Sequence, residues 1–223
     1  DPTRFRSSRL LVRMDDGDLP EGTVTEDLLG DSELRKLLIE TMDRLGPLKV
    51  CFLASRTAGA GRVENAIRFA HRLECPTVLV TAGRGIDTAR AEALVDSGLM
   101  QAQILIGGVS EGVQQSVVGA SAIEATDAVM ALLKAREDRR ADLDLEIVIP
   151  WRGRVTEELR AVIGWARQVG VDGYRIETPW VAEDMPCDPE LLDELGGVVD
   201  DFNRTHGGTL AKIHAMAAHQ EGG

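Results

Sequence analysis

The sequence of 223 residues is long enough for one domain with a sizeable core, or for one domain with an extension. It carries 25 Lys and Arg against 37 Asp and Glu, and a formal net charge of −12 argues against a general nucleic-acid or anionic-membrane surface. Hydrophobic residues make up 43% and charged residues 28%, as in an ordinary globular chain, and no apolar run approaches the ~18 residues of a membrane span.

Residues 1–30 are the least regular part. Arg9 to Met14 reads as a strand or a helical turn, followed by the acidic connection DDGDLPEGTVTED. Asp31 or Ser32 caps a helix whose apolar face is Leu34, Leu37, Leu38, Met42 and Leu45, and Gly46-Pro47 stops it. Leu48 to Ala54 is a short, mostly apolar run that suits a buried strand. A glycine-rich break, Ser55 to Gly61, follows. Val63, Ala66, Ile67, Ala70 and Leu73 then share one helix face, and Thr77 to Thr81 is a second strand. Strand, helix and strand in so short a length predict a right-handed βαβ unit with parallel strands.

The pattern then repeats. Thr88 to Ser97 reads as a helix ended by Gly98, and Gln101 to Ile106 as a strand closed by Gly107-Gly108. The stretch VSEGVQQSVVGAS reads as a loop before a helix from Ala122 to Arg136, with Ser121 and Glu124 in a capping box. Leu145 to Ile149 is a strand cut by Pro150. Thr156 caps a helix carrying Leu159, Val162, Ile163, Ala166 and Val169. Gly173 to Glu177 is a further strand, Pro189 to Phe202 a helix, and the tail TLAKIHAMAAHQ a short helix. Five or six βα units result, short of the ~250 residues of a complete eight-unit barrel. The expected fold class is α/β, an incomplete parallel (β/α)5-6 TIM-like barrel. The expected organisation is an irregular segment 1–30, a partial barrel 31–208 and a tail 209–223.

Ligands of such folds sit at the C-terminal ends of the strands. That rule nominates Ser55, Arg56, Thr81, Gly83, Gly107, Gly108, Trp151, Arg152, Glu177 and Trp180. TAGAG before a helix either cradles an anion on backbone N–H groups or is a plain tight turn; it lacks the residues of a P-loop or dinucleotide fingerprint. Trp151 and Trp180 either stack on a flat ligand or plug the barrel mouth. Arg56 and Arg152 either bind a carboxylate or lie solvated. Glu177 shares a strand face with Arg175 and is either a buried acid or half of an ion pair. His71 reads as helix surface or edge, and His206, His214 and His219 match no common metal spacing. No nucleophile elbow and no Ser-His-Asp arrangement is evident, so no catalytic residue is nominated.

The cysteines, Cys51, Cys75 and Cys187, are far apart and form no zinc or cluster spacing, so no metal ligands are nominated. Cys51 reads as a small buried apolar residue. The sparse, odd count favours a reducing, cytoplasmic setting. The sequence opens on Asp1 without an initiator Met, as expected of a fragment or a processed chain.

Leu48 to Glu177, more than half of the chain, resembles the radical S-adenosylmethionine superfamily. The resemblance rests on VCFLASRTAGAGRVENAIRFAHRLECPTVLVTAG, on IDTARAEALVDSGLMQAQILIGGVSEGVQQSVVGAS and on LEIVIPWRGRVTEELRAVIGWARQVGVDGYRIE, in that order and spacing. Where that family ends its second and third strands in Gly-Gly-Glu and Thr-Asn-Gly, this chain has Ala54-Ser55-Arg56 and Thr81-Ala82-Gly83. Gly107-Gly108 follows the fourth strand. The resemblance implies S-adenosylmethionine as cofactor, held near Ser55, Thr81, Gly83, Gly107, Gly108 and Trp151. It implies a small-molecule or peptide substrate near Arg56, Arg152, Glu177 and Trp180. The family's four-iron cluster sits on Cys-x-x-x-Cys-x-x-Cys just after the first strand, and this sequence has no such triplet. Either the cluster ligands lie upstream of Asp1, or the protein has lost the cluster. Three readings follow: a radical enzyme domain, a cluster-less scaffold for a ligand or partner protein, or an unrelated barrel lyase or isomerase using Glu177 and Arg152. None involves nucleic acid or a membrane.

Overall fold

In a computed structural model of the chain, residues 8–14, 31–46, 48–54, 61–150 and 156–177 are described, with helical positions 193, 196, 197, 200 and 204 and the strand 211–214. Among the described residues seven strands alternate with helices. They are β1 (Ser8–Arg13), β2 (Leu48–Ala54), β3 (Thr77–Thr81), β4 (Gln101–Leu105), β5 (Asp144–Pro150), β6 (Gly173–Glu177) and β7 (Ala211–His214). The helices are α1 (Asp31–Leu45), α2 (Arg62–Arg72), α3 (Thr88–Asp96), α4 (Glu111–Val118), α5 (Ala122–Arg139) and α6 (Thr156–Val169). The ladders β1–β2, β2–β3 and β3–β4, and the ladders β5–β6 and β6–β7, are all parallel. The sheet is not closed, and the fold is the α/β architecture of an incomplete TIM-like barrel. No helix among the described residues is long and apolar enough to cross a membrane.

The contacts divide the chain into two compact units, residues 1–104 with 124–145, and residues 105–123 with 146–223. In the first unit the strands have two unlike faces, because side chains alternate along each strand. One row contains Val12, Val50, Phe52, Ala54, Leu79, Thr81, Ala102 and Ile104, all buried. Each large apolar side chain so buried contributes about 1.5–3 kcal/mol. The amphipathic α2 buries Val63, Ala66, Ile67 and Ala70 and contacts β2 and β3. The other row is mixed: Arg9, Leu11 and Arg13 on β1 are exposed, and Lys49 and Leu53 on β2 are half-buried. Near the start of the strands Lys49 Nζ donates to Gln101 Oε1 at 3.1 Å, and Gln101 Nε2 donates to Asp144 Oδ2 at 3.0 Å.

The second unit repeats this division on β5 and β6. Ile147 and Ile149 pair with Tyr174 and Ile176 in a fully buried row. The alternate row carries Glu146, Val148 and Pro150 opposite Gly173, Arg175 and Glu177. Burial pushes the Tyr174 phenol up to about 12.

Two segments differ from the sequence expectation. The stretch read as a loop after β4 holds α4. Gly112 and the valines 113, 117 and 118 weaken its helical signal, but Glu111 in the first turn and Gly119 in the left-handed conformation at the C-cap bound it. The tail read as a helix holds β7, which pairs with β6 from Tyr174↔Ala211 to Glu177↔His214. An open strand edge needs backbone partners, and four residues satisfy it where a helix of that length gains little.

Candidate functional site

The nominated residues fall in three groups. Ser55, Arg56, Trp151, Arg152 and Trp180 lie outside the described residues. Thr81 and Gly83 belong to the first unit. Thr81 is buried, and its hydroxyl accepts from the Gly83 amide at 3.2 Å. It therefore shapes the turn after β3 rather than offering a free ligand group. Gly83 has φ +84°, and a Cβ there would lie 2.9 Å from Ala125 Cα and 3.0 Å from Ala128 Cβ on α5. Glycine is required here by both conformation and close approach.

Gly107, Gly108 and Glu177 belong to the second unit. Ile106 N donates to Val148 O at 2.9 Å, so the loop after β4 leaves beside β5, and Pro150 is paired with Glu177 at the C-terminal strand ends. The loop is closed by its own neighbours. Gly107 N donates to Gln114 Oε1 at 2.7 Å, and Gln114 Nε2 donates to Leu105 O at 3.2 Å, from a side chain that is fully buried. The amides of Val109 and Ser110, at the N-terminus of α4, donate to Glu158 Oε2 of α6 at 2.7 and 3.1 Å. A helix N-terminus is a natural anion site, and here an internal carboxylate fills it. The same device recurs one helix on, where Glu111 Oε2 accepts from Ala122 N at 2.8 Å and from the Ser121 hydroxyl at 3.2 Å. Gly107 and Gly108 thus serve tight packing: a Cβ on either would meet Val117 or Val113 at 2.6 Å, and one on Gly108 would also meet Glu158 Oε2 at 2.9 Å.

Hydrogen bonds to Ser110 and Val109 hold the Glu158 carboxyl below the usual carboxylate range, led by the Ser110 side chain. A folded pKa below the unfolded one gives stability that is complete above the unfolded value and is lost as pH falls through the folded value. Glu158→Gln is expected to be less stable than the parent at neutral pH, and the difference is expected to shrink below about pH 4. Urea unfolding of both proteins across pH 3–7 checks this.

The mixed row carries a charged ladder that reaches the C-terminal end of β6. Arg175 Nε lies 2.9 Å from Glu177 Oε1, and Arg175 Nη1 lies 3.6 Å from Glu146 Oε2. Of the two readings of Glu177, the structure gives the ion pair. Arg175 and Glu146 are about four-fifths covered, whereas the Glu177 side chain is 45% exposed. The ladder therefore runs from a shielded end at Glu146 to an open end at Glu177. Sequence reasoning had noted Arg175 and Glu177 but missed Glu146, Glu158 and Gln114. Glu146 was legible in the alternation of E-I-V on β5, which parallel pairing sets diagonally beside R-I-E on β6.

The first unit also has an open groove of ≈ 600 Å³, bordered by Gly83, Asp87, Glu124, Asp127, Met130 and Lys134. Its charged side chains lie at the surface and no buried polar group converges on it, so it lacks the features of a specific pocket. Among the described residues no three His, Cys, Asp or Glu side chains gather into a metal site.

No family model matches the chain, and no curated protein matches it in sequence. Solved structures do. SuiB of Streptococcus suis bound to S-adenosylmethionine aligns with a TM-score of 0.72 at 11% identity, over 96% of this chain and 48% of that one. SuiB has also been solved bound to its precursor peptide SuiA. Native anSMEcpe with bound S-adenosylmethionine aligns with a TM-score of 0.64 at 12% identity, over 93% of this chain and 63% of that one. The HMG-CoA lyase of Brucella melitensis aligns with a TM-score of 0.53 at 10% identity, over 93% and 71%. The chain therefore shares the α/β fold of these solved structures. Identities of this size establish the fold alone. The chain spans about half the length of SuiB and under two thirds of anSMEcpe.

Proposed function

We propose that the chain is a radical-SAM-like binding domain that takes S-adenosylmethionine on the strand face of its second unit, with a small-molecule or peptide substrate as its further partner. The observation that carries this reading is the Glu146–Arg175–Glu177 ladder, half-open at the C-terminal end of β6. S-adenosylmethionine carries an ammonium, a sulfonium and a carboxylate. Its carboxylate suits the planar guanidinium of Arg175, and its ammonium suits the half-exposed carboxylate of Glu177. Support also comes from the structural neighbours solved with S-adenosylmethionine, and from SuiB bound to SuiA on the side of a peptide partner. The scaffold role, holding a ligand or a partner protein without radical chemistry of its own, is favoured over the radical enzyme by the cysteine content considered below. The sparse cysteines suit a reducing cytoplasm.

Calorimetry with S-adenosylmethionine tests the reading. Binding is expected, and Arg175→Met is expected to weaken it at least ~10-fold, roughly 1.4 kcal/mol. Glu177→Gln, at the open end, is expected to weaken it less. Absence of binding, or binding indifferent to both substitutions in folded variants, overturns it.

A further inference from the structure

We infer that this domain does not build the four-iron cluster of the family it resembles. The inference rests on the radical-SAM-like fold and concerns the one group that fold most strongly implies. In the family the thiolates follow the first strand. Here β1 is in place, paired in parallel with β2 over six residues from Ser8↔Leu48 to Arg13↔Leu53. The resemblance puts β2 in the place of the family's second strand, so that β1, its parallel neighbour, stands in the place of the first, and residues 14–30 follow it. Those residues include Asp15, Asp16, Asp18, Glu21, Glu26 and Asp27 and no cysteine. Carboxylates are hard donors suited to magnesium or calcium, whereas an iron–sulfur cluster is held by thiolates.

The thiols present elsewhere do not replace them. Cys51 is buried in the middle of β2, one residue from the fully buried Val50 and Phe52. Cys75 is buried before β3, its Sγ lying 3.3 Å from Met42 Sδ and 3.8 Å from Leu73 O. Burial also pushes the Cys75 thiol up, away from the thiolate that would bind metal. Only Cys187 remains, and one thiol does not hold a cluster.

The consequence is chemical. With no electron donor bound at the strand ends, the domain holds a ligand without reductively cleaving it, and any radical step belongs to another protein or domain.

Anaerobic incubation of the chain with ferrous iron, sulfide and dithiothreitol, followed by desalting, tests this. The expected result is under about 0.5 iron per chain and no thiolate-to-iron absorption near 400 nm, against about 4 irons for an assembled cluster. Incorporation of about 4 irons and 4 sulfides, abolished by replacing Cys51, Cys75 and Cys187 together with Ser, overturns the inference. If those variants fail to fold, a cluster signal in the electron paramagnetic resonance spectrum of the reduced parent chain overturns it equally. Calorimetry with S-adenosylmethionine on the same preparation separates the claims, because ligand binding together with iron overturns this inference alone, and the absence of both iron and ligand binding overturns the proposed function alone.

Discussion

Arg90→Met is expected to destabilise the chain by about 3 kcal/mol or more, the usual cost of stranding a buried charge. Arg90 Nε lies 3.1 Å from Glu64 Oε1, and the two side chains are 17% and 8% exposed. The contact is an ion pair rather than an aligned hydrogen bond, and Glu64 Oε2 is buried without a hydrogen-bond partner among the described residues. Arg90 is thus the main compensation for the Glu64 charge, supplemented by the positive end of α2, in whose first turn Glu64 sits. The pair also ties α2 to α3. Replacing both residues with Met is expected to recover most of the loss, because an apolar pair of similar volume avoids desolvating two charges. Urea unfolding read as a midpoint shift at constant slope decides the matter. A single-variant loss below ~0.5 kcal/mol would place the pair among weakly coupled surface contacts.

Gly83→Ala is expected to cost about 3 kcal/mol, in two parts. A side chain at φ +84° costs about 1–2 kcal/mol. The added Cβ would also press to 2.9 Å on the backbone of Ala125 and 3.0 Å on Ala128, and overpacking adds about 1–3 kcal/mol. The contact is with helix backbone, which cannot rotate away. Gly119→Ala is the control: its φ is +72°, but nothing lies within 4 Å of the added atom, so only the conformational part, about 1 kcal/mol, is expected. Equal losses at the two sites would show that the approach of the β3–α3 turn to α5 carries no strain.

Much of the frame was legible in sequence because each element carries its own signal. Val63, Ala66, Ile67 and Ala70 recur at helical spacing and are buried on α2. The short apolar runs at 48–54 and 77–81 are β2 and β3, and the alternating stretch 173–177 is β6. Elements whose signal is weak or borrowed were harder. The valine-rich, glycine-containing stretch of α4 has low intrinsic helicity and is stabilised by tertiary contacts such as Gln114 beneath the loop and Glu158 at its N-terminus. The strand β7 exists because β6 offers an edge, which residues 211–214 do not announce.

The site was less legible than the fold. Its residues are chosen by position across strands, not along them. Thr81 follows a strand as a ligand residue would, yet alternation turns it into the buried row, where its hydroxyl serves the Gly83 amide. Gly107 and Gly108 look like a ligand cradle in sequence, but Gln114 and Glu158, 7 and 49 residues away from their amide partners, occupy the amides around them. Glu177 could be followed as far as its neighbour Arg175. The third member, Glu146, becomes its companion only through the β5–β6 register.

Hydrogen exchange of the chain with and without saturating S-adenosylmethionine tests the central claim most directly, because it reports where the ligand sits. The account predicts slowed amide exchange in residues 146–150 and 173–177, around the Glu146–Arg175–Glu177 ladder, and little change in residues 83–88 beside the open groove. Unchanged exchange throughout, or protection confined to residues 83–88, would contradict it.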